Sequence, residues 1–237
     1  MKKSGIQFIG AIILMFALSA TSIAQTNFEK DFSALHKKAI MTCGMIKQPK
    51  LHQQSEILKG LKELRTQLKT IEKNYLDKPP EAYASDPLWK SYFVEFNDVI
   101  DALQSRVEKG NYKVAAMNCS HICMVYYKIH AVNGRLDLTD KMFLWISQVT
   151  MTNNMLNAAN YPGAEKNLKQ VRTLYKNVIE AKKVANNPEF DKQFTTIDKL
   201  YANWLKDLEN HKYQDASDTF NTFKAAFGKV FVMSLMY

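Results

Sequence analysis

Two cysteines and one histidine lie at helical spacing between residues 112 and 130. Of all the side chains in the sequence, these are the best suited to metal binding or catalysis. Cys119 and Cys123 stand four residues apart, and His130 follows seven residues after Cys123. This spacing predicts a helix with one face formed by Tyr112, Ala116, Cys119, Cys123, Tyr126 and His130. Two thiolates one turn apart can bind the same soft metal ion, such as copper(I) or zinc. Buried cysteines can equally fill small gaps in a core.

An earlier helix could supply further ligands. Cys43 could join Cys119 and Cys123 in a three-thiolate metal site. A non-covalent haem held by Met45 and His130, with Cys119 and Cys123 nearby, is the related alternative. The sequence leaves three readings open: no cofactor, a metal ion, or a haem.

The sequence lacks the local motifs of common enzyme sites. It contains no Gly-rich phosphate loop, no Gly-x-Ser-x-Gly elbow and no His-Glu-x-x-His pair. His121 lies about 200° around the predicted helix from Cys119, so we expect it to face solvent. His130 is about 10 Å along the helix from Cys123, which argues against a direct thiol–imidazole pair. We therefore do not predict an enzyme.

Three cysteines allow one disulfide at most. Cys119 and Cys123 lie one turn apart on the same helix, where a bridge between them would distort the backbone. The spacing favours a disulfide between Cys43 and either of these two residues.

The first 24 residues predict export. Lys2 and Lys3 precede an apolar run from Phe8 to Leu18, and small residues lead to Ala24, as in a secretory signal peptide. No later apolar run is long enough to span a bilayer. Residues 25–237 are therefore expected to be exported and soluble, and periplasmic in a Gram-negative source.

The chain is basic, with a formal net charge of +9. Without residues 1–24 it keeps 30 basic and 23 acidic side chains. Lysines and acidic residues are interspersed, as between Lys59 and Arg65, and this pattern favours a solvated helical face over nucleic-acid binding.

The chain contains an internal repeat. Six core positions recur 101 residues later: Trp89, Phe93, Phe96, Ile100, Leu103 and Val107 correspond to Phe190, Phe194, Ile197, Tyr201, Trp204 and Leu208. The offset is 107 between residues 61–66 and 168–173, and 110 between residues 41–46 and 151–156. Both jumps fall in expected loops, and Asn133-Gly134 marks the boundary between the copies.

Each copy is predicted to form four helices joined by short loops. The predicted ranges are 28–46, 55–76, 87–109 and 111–130, then 138–156, 163–184, 188–209 and 213–236. Short loops make consecutive helices antiparallel. The prediction is an all-α fold of two tandem up-and-down antiparallel four-helix bundles, over residues 25–133 and 134–237. The helical pattern buries Trp89, Trp145, Trp204, Tyr126 and Tyr201, whereas Tyr83, in a loop unique to the first copy, is a candidate exposed contact.

An exported four-helix unit with a Gly-Asn-Tyr junction at residues 110–112 resembles the cytochrome c-prime family. In that family the fourth helix carries Ala, then Cys-x-x-Cys-His, then an aromatic residue. Its cysteines bind haem covalently and its histidine is the axial ligand. Ala115, Cys119 and Tyr126 stand at the positions of the Ala, the first Cys and the aromatic residue.

Two positions depart from that motif. Ile122 replaces the second Cys, and Cys123 replaces the axial His. In the second copy, Phe220 and Lys224 fill the positions of the first Cys and the His. The resemblance implies the bundle architecture without the usual covalent haem.

These patterns predict an exported, non-enzymatic binding or scaffold protein without a cofactor. The partner is not identified; a protein is one candidate, and nucleic acid is not expected. The alternative is an electron-transfer protein that binds copper, zinc or a non-covalent haem in its first bundle. Met41 and Met45 recur as Met151 and Met155, where no Cys or His accompanies them, which weakens a ligand role for the methionines.

Overall fold

The computed structural model describes residues 27–235, without the side chain of Ala185. The predicted signal peptide lies outside these residues. Within the described range the chain is 84% helical and contains no strand, which confirms the all-α prediction. No helix of this range is both long enough and apolar enough to cross a membrane.

Eight α-helices and one 3₁₀ turn make up the described chain. Helix α1 covers residues 27–47. The others are α2 (Gln54–Tyr75), α3 (Trp89–Glu108), α4 (Tyr112–Val132), α5 (Leu138–Asn157), α6 (Tyr161–Ala185), α7 (Pro188–Glu209) and α8 (Tyr213–Ser234), with the 3₁₀ turn at Glu81–Tyr83 between α2 and α3. These bounds lie within two residues of the predicted ones.

Local side-chain chemistry sets the helix ends. The side chains of Asn111, Asp137, Asn160 and Asn187 accept hydrogen bonds from the first turns of α4, α5, α6 and α7. Helix α3 begins at Trp89 rather than at the predicted position 87. Asp86 Oδ1 accepts the backbone N–H of Leu88 at 2.8 Å, and this contact holds the preceding residues in a turn.

The chain divides into two compact units between Asn133 and Gly134. In the first unit α3 packs on α2 and α4. Helix α1 contacts α2 through the Lys38–Glu63 ion pair, α3 through the rings of Phe32 and Phe96, and α4 through a disulfide. The core is rich in aromatic side chains from α1, α3 and α4.

In the second unit the contacts run from α5 to α6, α6 to α7, α7 to α8 and α8 back to α5. Trp145 and Trp204 are fully buried in its core. Trp145 contacts four other rings at centroid distances below 6 Å: those of Tyr175, Tyr201, Phe223 and Phe227. A large aromatic cluster of this kind contributes much of the apolar burial of a unit of this size.

Positions matched by the internal repeat have matching burial. The six matched core residues of α3, from Trp89 to Val107, and their six counterparts on α7, from Phe190 to Leu208, are all buried. Trp89, Trp145, Trp204, Tyr126 and Tyr201 are buried as predicted.

Tyr83 contradicts the prediction of an exposed loop contact. The 3₁₀ turn folds back on the unit, so that the ring is fully buried against Phe28 and Trp89. Its hydroxyl donates a hydrogen bond to the carboxylate of Glu29 on α1. The loop therefore closes one end of the core.

Replacing Tyr83 by Phe tests this closure. The change keeps the buried ring and removes a hydrogen bond to a carboxylate, so we expect the free energy of unfolding to fall by about 1–2 kcal/mol. Urea unfolding followed by circular dichroism measures it. Tyr161→Phe is the matched control, because Tyr161 is 37% exposed and its ring stacks on Tyr213; its effect should stay within about 0.5 kcal/mol. Equal effects of the two substitutions would contradict the assignment.

Candidate functional site

Helices α1 and α4 run antiparallel and bring the chemically active side chains of the first unit to one seam. Cys43 on α1 meets Cys119 on α4. Seven residues earlier on α1, His36 stacks on Tyr126, which lies seven residues later on α4. Four residues earlier again, the ring of Phe32 lies 5.9 Å from that of His130. One register therefore pairs all these residues across the seam.

A disulfide joins Cys43 to Cys119. Their Cα atoms are 5.8 Å apart, within the range usual for disulfides, and both residues are buried. Of the two pairings that the spacing favoured, the structure contains the one with Cys119. Both sulfurs are therefore bonded to each other, and a three-thiolate site of Cys43, Cys119 and Cys123 requires this bond to be reduced.

The third cysteine lies beside a histidine that sequence reasoning did not assign to the site. His36 Nε2 is 3.5 Å from the Sγ of Cys123. His36 is 95% buried, with its ring parallel to that of Tyr126 at a centroid distance of 3.8 Å. The only sequence signal was its position two helical turns before Cys43, on the same face. Cys123 itself is half-buried at the edge of the seam.

Burial determines the protonation of this group. Removal from water, together with the nearby His130, lowers the pKa of His36 from 6.5 to about 3. The imidazole is therefore neutral at physiological pH. A base with so low a pKa is poorly matched to removing a proton from a thiol. A neutral ring nitrogen beside a sulfur is, however, a pair of donors that suits a soft metal ion.

Tyr126 contributes packing and a hydrogen bond. Its hydroxyl donates to the backbone carbonyl of Phe32 at 2.9 Å. Burial raises the pKa of Tyr126 well above its ordinary value, so the phenol remains protonated and keeps this bond. The hydroxyl thus ties α4 to α1 in the middle of the seam.

His130 lies at the end of the seam nearest the N-terminal end of α1. It is buried, and its Nε2 is 3.5 Å from the Glu29 carboxylate, which also accepts the hydrogen bond of Tyr83. This group of three side chains links α1, α4 and the 3₁₀ turn. His121 is exposed, as predicted.

The structure does not bring Met45 together with His130. His130 faces Phe32, and Met45 follows Phe32 by 13 residues on α1, which corresponds to about 20 Å along the helix axis. Met45 instead packs towards α2, where its Cε would lie 2.9 Å from a Cβ added to Gly60. A single haem iron therefore cannot take both side chains as ligands.

The second unit has no cysteine or histidine at the positions that correspond to those of the seam. Phe220 occupies the position of Cys119 and is buried, and Asn153 occupies that of Cys43. Ile146 stands at the position of His36, and the exposed Lys224 at that of Cys123. The thiol and imidazole groups are specific to the first copy.

Comparison with known proteins gave no relative: no family model, curated protein or solved structure matches the chain.

Removing the disulfide should destabilise the first unit. The bridged cysteines are 76 residues apart in sequence, and closing a loop of this size is worth about 4 kcal/mol in the chain-entropy model. We expect Cys43→Ser and Cys119→Ser each to lower the free energy of unfolding by about 2–4 kcal/mol. Cys123→Ser is the control and should cost less than about 1 kcal/mol. A thiol count on denatured protein should give one thiol before reduction and three after it; three before reduction would exclude the bridge.

The buried His36 should make stability depend on pH. Between pH 6.5 and about 3 the unfolded chain binds a proton here that the folded protein excludes. The free energy of unfolding therefore decreases as the pH falls below 6.5, by up to about 1.4 kcal/mol per pH unit. His36→Leu should reduce this slope by up to about 1.4 kcal/mol per pH unit, which is the contribution of one proton. Urea unfolding at several pH values from 4 to 7 measures the slope. An unchanged slope in His36→Leu would refute the assignment.

Proposed function

We propose that the chain is an exported, non-enzymatic binding or scaffold protein built from two related up-and-down four-helix bundles. Its architecture is cytochrome c-prime-like and it carries no covalent haem. On this proposal the mature protein works outside the cytoplasm, in the periplasm of a Gram-negative source, where the disulfide of the first bundle is stable.

The observation that carries the proposal is the bond between Cys119 and Cys43. Cys119 matches the first haem-binding cysteine of the cytochrome c-prime family, which the chain resembles. With its sulfur committed to Cys43, it has no thiol to form a thioether with haem. The sulfur that would attach a cofactor in a cytochrome cross-links two helices here.

The helix contacts support the bundle architecture. In the second unit the contacts form a closed ring of four consecutive helices. In the first unit the disulfide, the Lys38–Glu63 pair and the packing of α3 on α2 and α4 give the equivalent ring. The antiparallel register of α1 and α4 fits an up-and-down connection.

The thiol–imidazole pair is unsuited to base-activated thiol catalysis, which fits the proposal. A thiol nucleophile needs a base that accepts its proton near neutral pH. The low pKa of His36 makes it unsuited to that step.

A metal-binding function is the second candidate, and one contact favours it. His36 Nε2 and Cys123 Sγ are 3.5 Å apart, close enough to bind one copper(I) or zinc ion from two sides. Reduction of the disulfide would add Cys119, one turn from Cys123, as a further ligand. On this alternative the site lies in the first bundle and its thiols respond to the redox state.

The visible spectrum and metal content of the exported, purified protein test the proposal. We expect no Soret band and no stoichiometric copper or zinc, because Cys119 is bridged and the His36–Cys123 contact supplies two donors where a structural zinc site takes four. A Soret band would contradict the proposal outright. Stoichiometric copper or zinc that disappears in both Cys123→Ser and His36→Leu would replace it by the second candidate.

A further inference from the structure

Helices α2 and α6 present the same exposed residues at the same positions. Lys59, Lys62, Thr66 and Lys69 follow one another at spacings of three, four and three, so they form one line along the outer face of α2, the α2 stripe. The corresponding residues 107 positions later are Lys166, Lys169, Thr173 and Lys176, the α6 stripe. All eight side chains are exposed. Each stripe extends over about 15 Å.

The core determines this correspondence, independently of the stripes. Gln53 and Asn160 are the N-cap residues of the two helices and are also 107 residues apart. Leu61, Leu64 and Ile71 are buried, as are their counterparts Leu168, Val171 and Val178. The N-cap residues and the buried residues therefore fix the alignment of α2 with α6. The exposed residues match within that alignment.

Exposed positions elsewhere are retained less consistently between the copies: Glu108 matches Glu209 and Met41 matches Met151, but most of the exposed face of α3 differs from that of α7. On α3, the exposed Ser91, Val94, Asp98 and Asp101 correspond to Lys192, Thr195, Lys199 and Ala202 on α7. One of these pairs reverses its charge. Packing does not constrain an exposed side chain, so identity at all four stripe positions requires another reason.

Electrostatics within the helix does not supply that reason. Lys59 and Lys62, like Lys166 and Lys169, are like charges three residues apart, which is slightly destabilising. The neighbouring ion pairs Lys38–Glu63, Arg65–Asp101 and Arg172–Glu209 involve other basic side chains. Lys59 also attracts Glu63 in α2, but Gln170 stands at the corresponding position of α6, so this interaction is not common to both copies. Helix α2 carries five basic and three acidic residues, and α6 carries six and two. Both faces therefore keep an excess of positive charge.

Each stripe also lines a shallow groove. The groove on α2 has a volume of about 460 Å³ and includes Lys62 and Thr66. The groove on α6 has a volume of about 450 Å³ and includes the equivalent Lys169 and Thr173. The two grooves share these two positions and differ in their other lining residues, and each also contains one carboxylate, Glu63 or Glu165.

We propose that the α2 and α6 stripes bind a linear anionic polysaccharide. Lysine ammonium groups are compact point charges on flexible stems, so a line of them suits anionic groups spaced along a polymer, and Arg172 in the α6 groove adds a further cation. The threonine hydroxyl between them can hydrogen-bond to sugar hydroxyls. None of the exposed large apolar side chains of the described chain lies within a stripe, whereas a membrane-binding face would carry them. This inference rests on the proposed binding function and names the partner.

The test uses the full mature chain and two fluorescently labelled polysaccharides, heparin and polygalacturonate, with neutral dextran as the negative control. We expect binding to both anionic polymers, none to dextran, and a loss of affinity of at least tenfold between 50 and 200 mM salt. Replacing Lys59, Lys62 and Lys69 together by Gln should weaken binding about tenfold, and so should replacing Lys166, Lys169 and Lys176. Glutamine retains helix propensity, and thermal unfolding of each variant shows that it folds.

The matched control removes the same charge elsewhere in the second unit. Replacing the exposed Lys192, Lys199 and Lys229 by Gln should change affinity by less than about threefold. An equal loss in this control would overturn the proposal, because binding would then follow net charge alone. Tighter binding to phosphatidylglycerol vesicles or to duplex DNA than to either polysaccharide would also overturn it. Neither result affects the spectrum and metal content, so failure here is distinguishable from failure of the proposed function.

Discussion

Helices α1 and α4 pack antiparallel in one register. This register determines which side chains the cysteines and histidines of the first unit contact. The disulfide Cys43–Cys119 fixes one point of that register. The His36–Tyr126 stack lies two turns away along both helices, and the Glu29–His130 contact lies beyond it. A one-residue shift would rotate each side chain by about 100° and separate all three pairs. The contacts therefore support one another.

This register also explains how polar groups are tolerated in the seam. An isolated imidazole would be costly to bury. His36 is buried as a neutral ring, since its depressed pKa keeps the proton off, and it gains the aromatic face of Tyr126 and the sulfur of Cys123. The Tyr126 hydroxyl is satisfied by a backbone carbonyl. The second unit solves the same packing problem with apolar residues such as Phe220, which needs no partner.

Much of the fold could be predicted because it depends on periodicity within single helices. The helix ranges and the buried aromatic positions follow from spacings of three and four residues, and the repeat follows from matches at offsets of 101 to 110 residues. His36 was not assigned to the site and Tyr83 was wrongly predicted to be exposed, because their environments depend on contacts between distant segments. His36 acquires Cys123 only once α1 and α4 are aligned, and Tyr83 is buried only because its loop folds back onto Phe28. Periodicity says which face of a helix is buried, not which side chain lies opposite.

A comparison of the two copies distinguishes the residues that the fold requires from those that both copies share although the fold does not require them. Core positions remain apolar in both units, which packing alone explains. The disulfide, the thiol and the imidazole occur in one copy, so the fold does not depend on them; they stabilise or modify the first unit alone. The stripes on α2 and α6 are the opposite case, because they are present in both copies at positions where packing imposes nothing. A property shared by the two units is therefore better sought on those outer faces than in the seam, even though the seam holds the more reactive side chains.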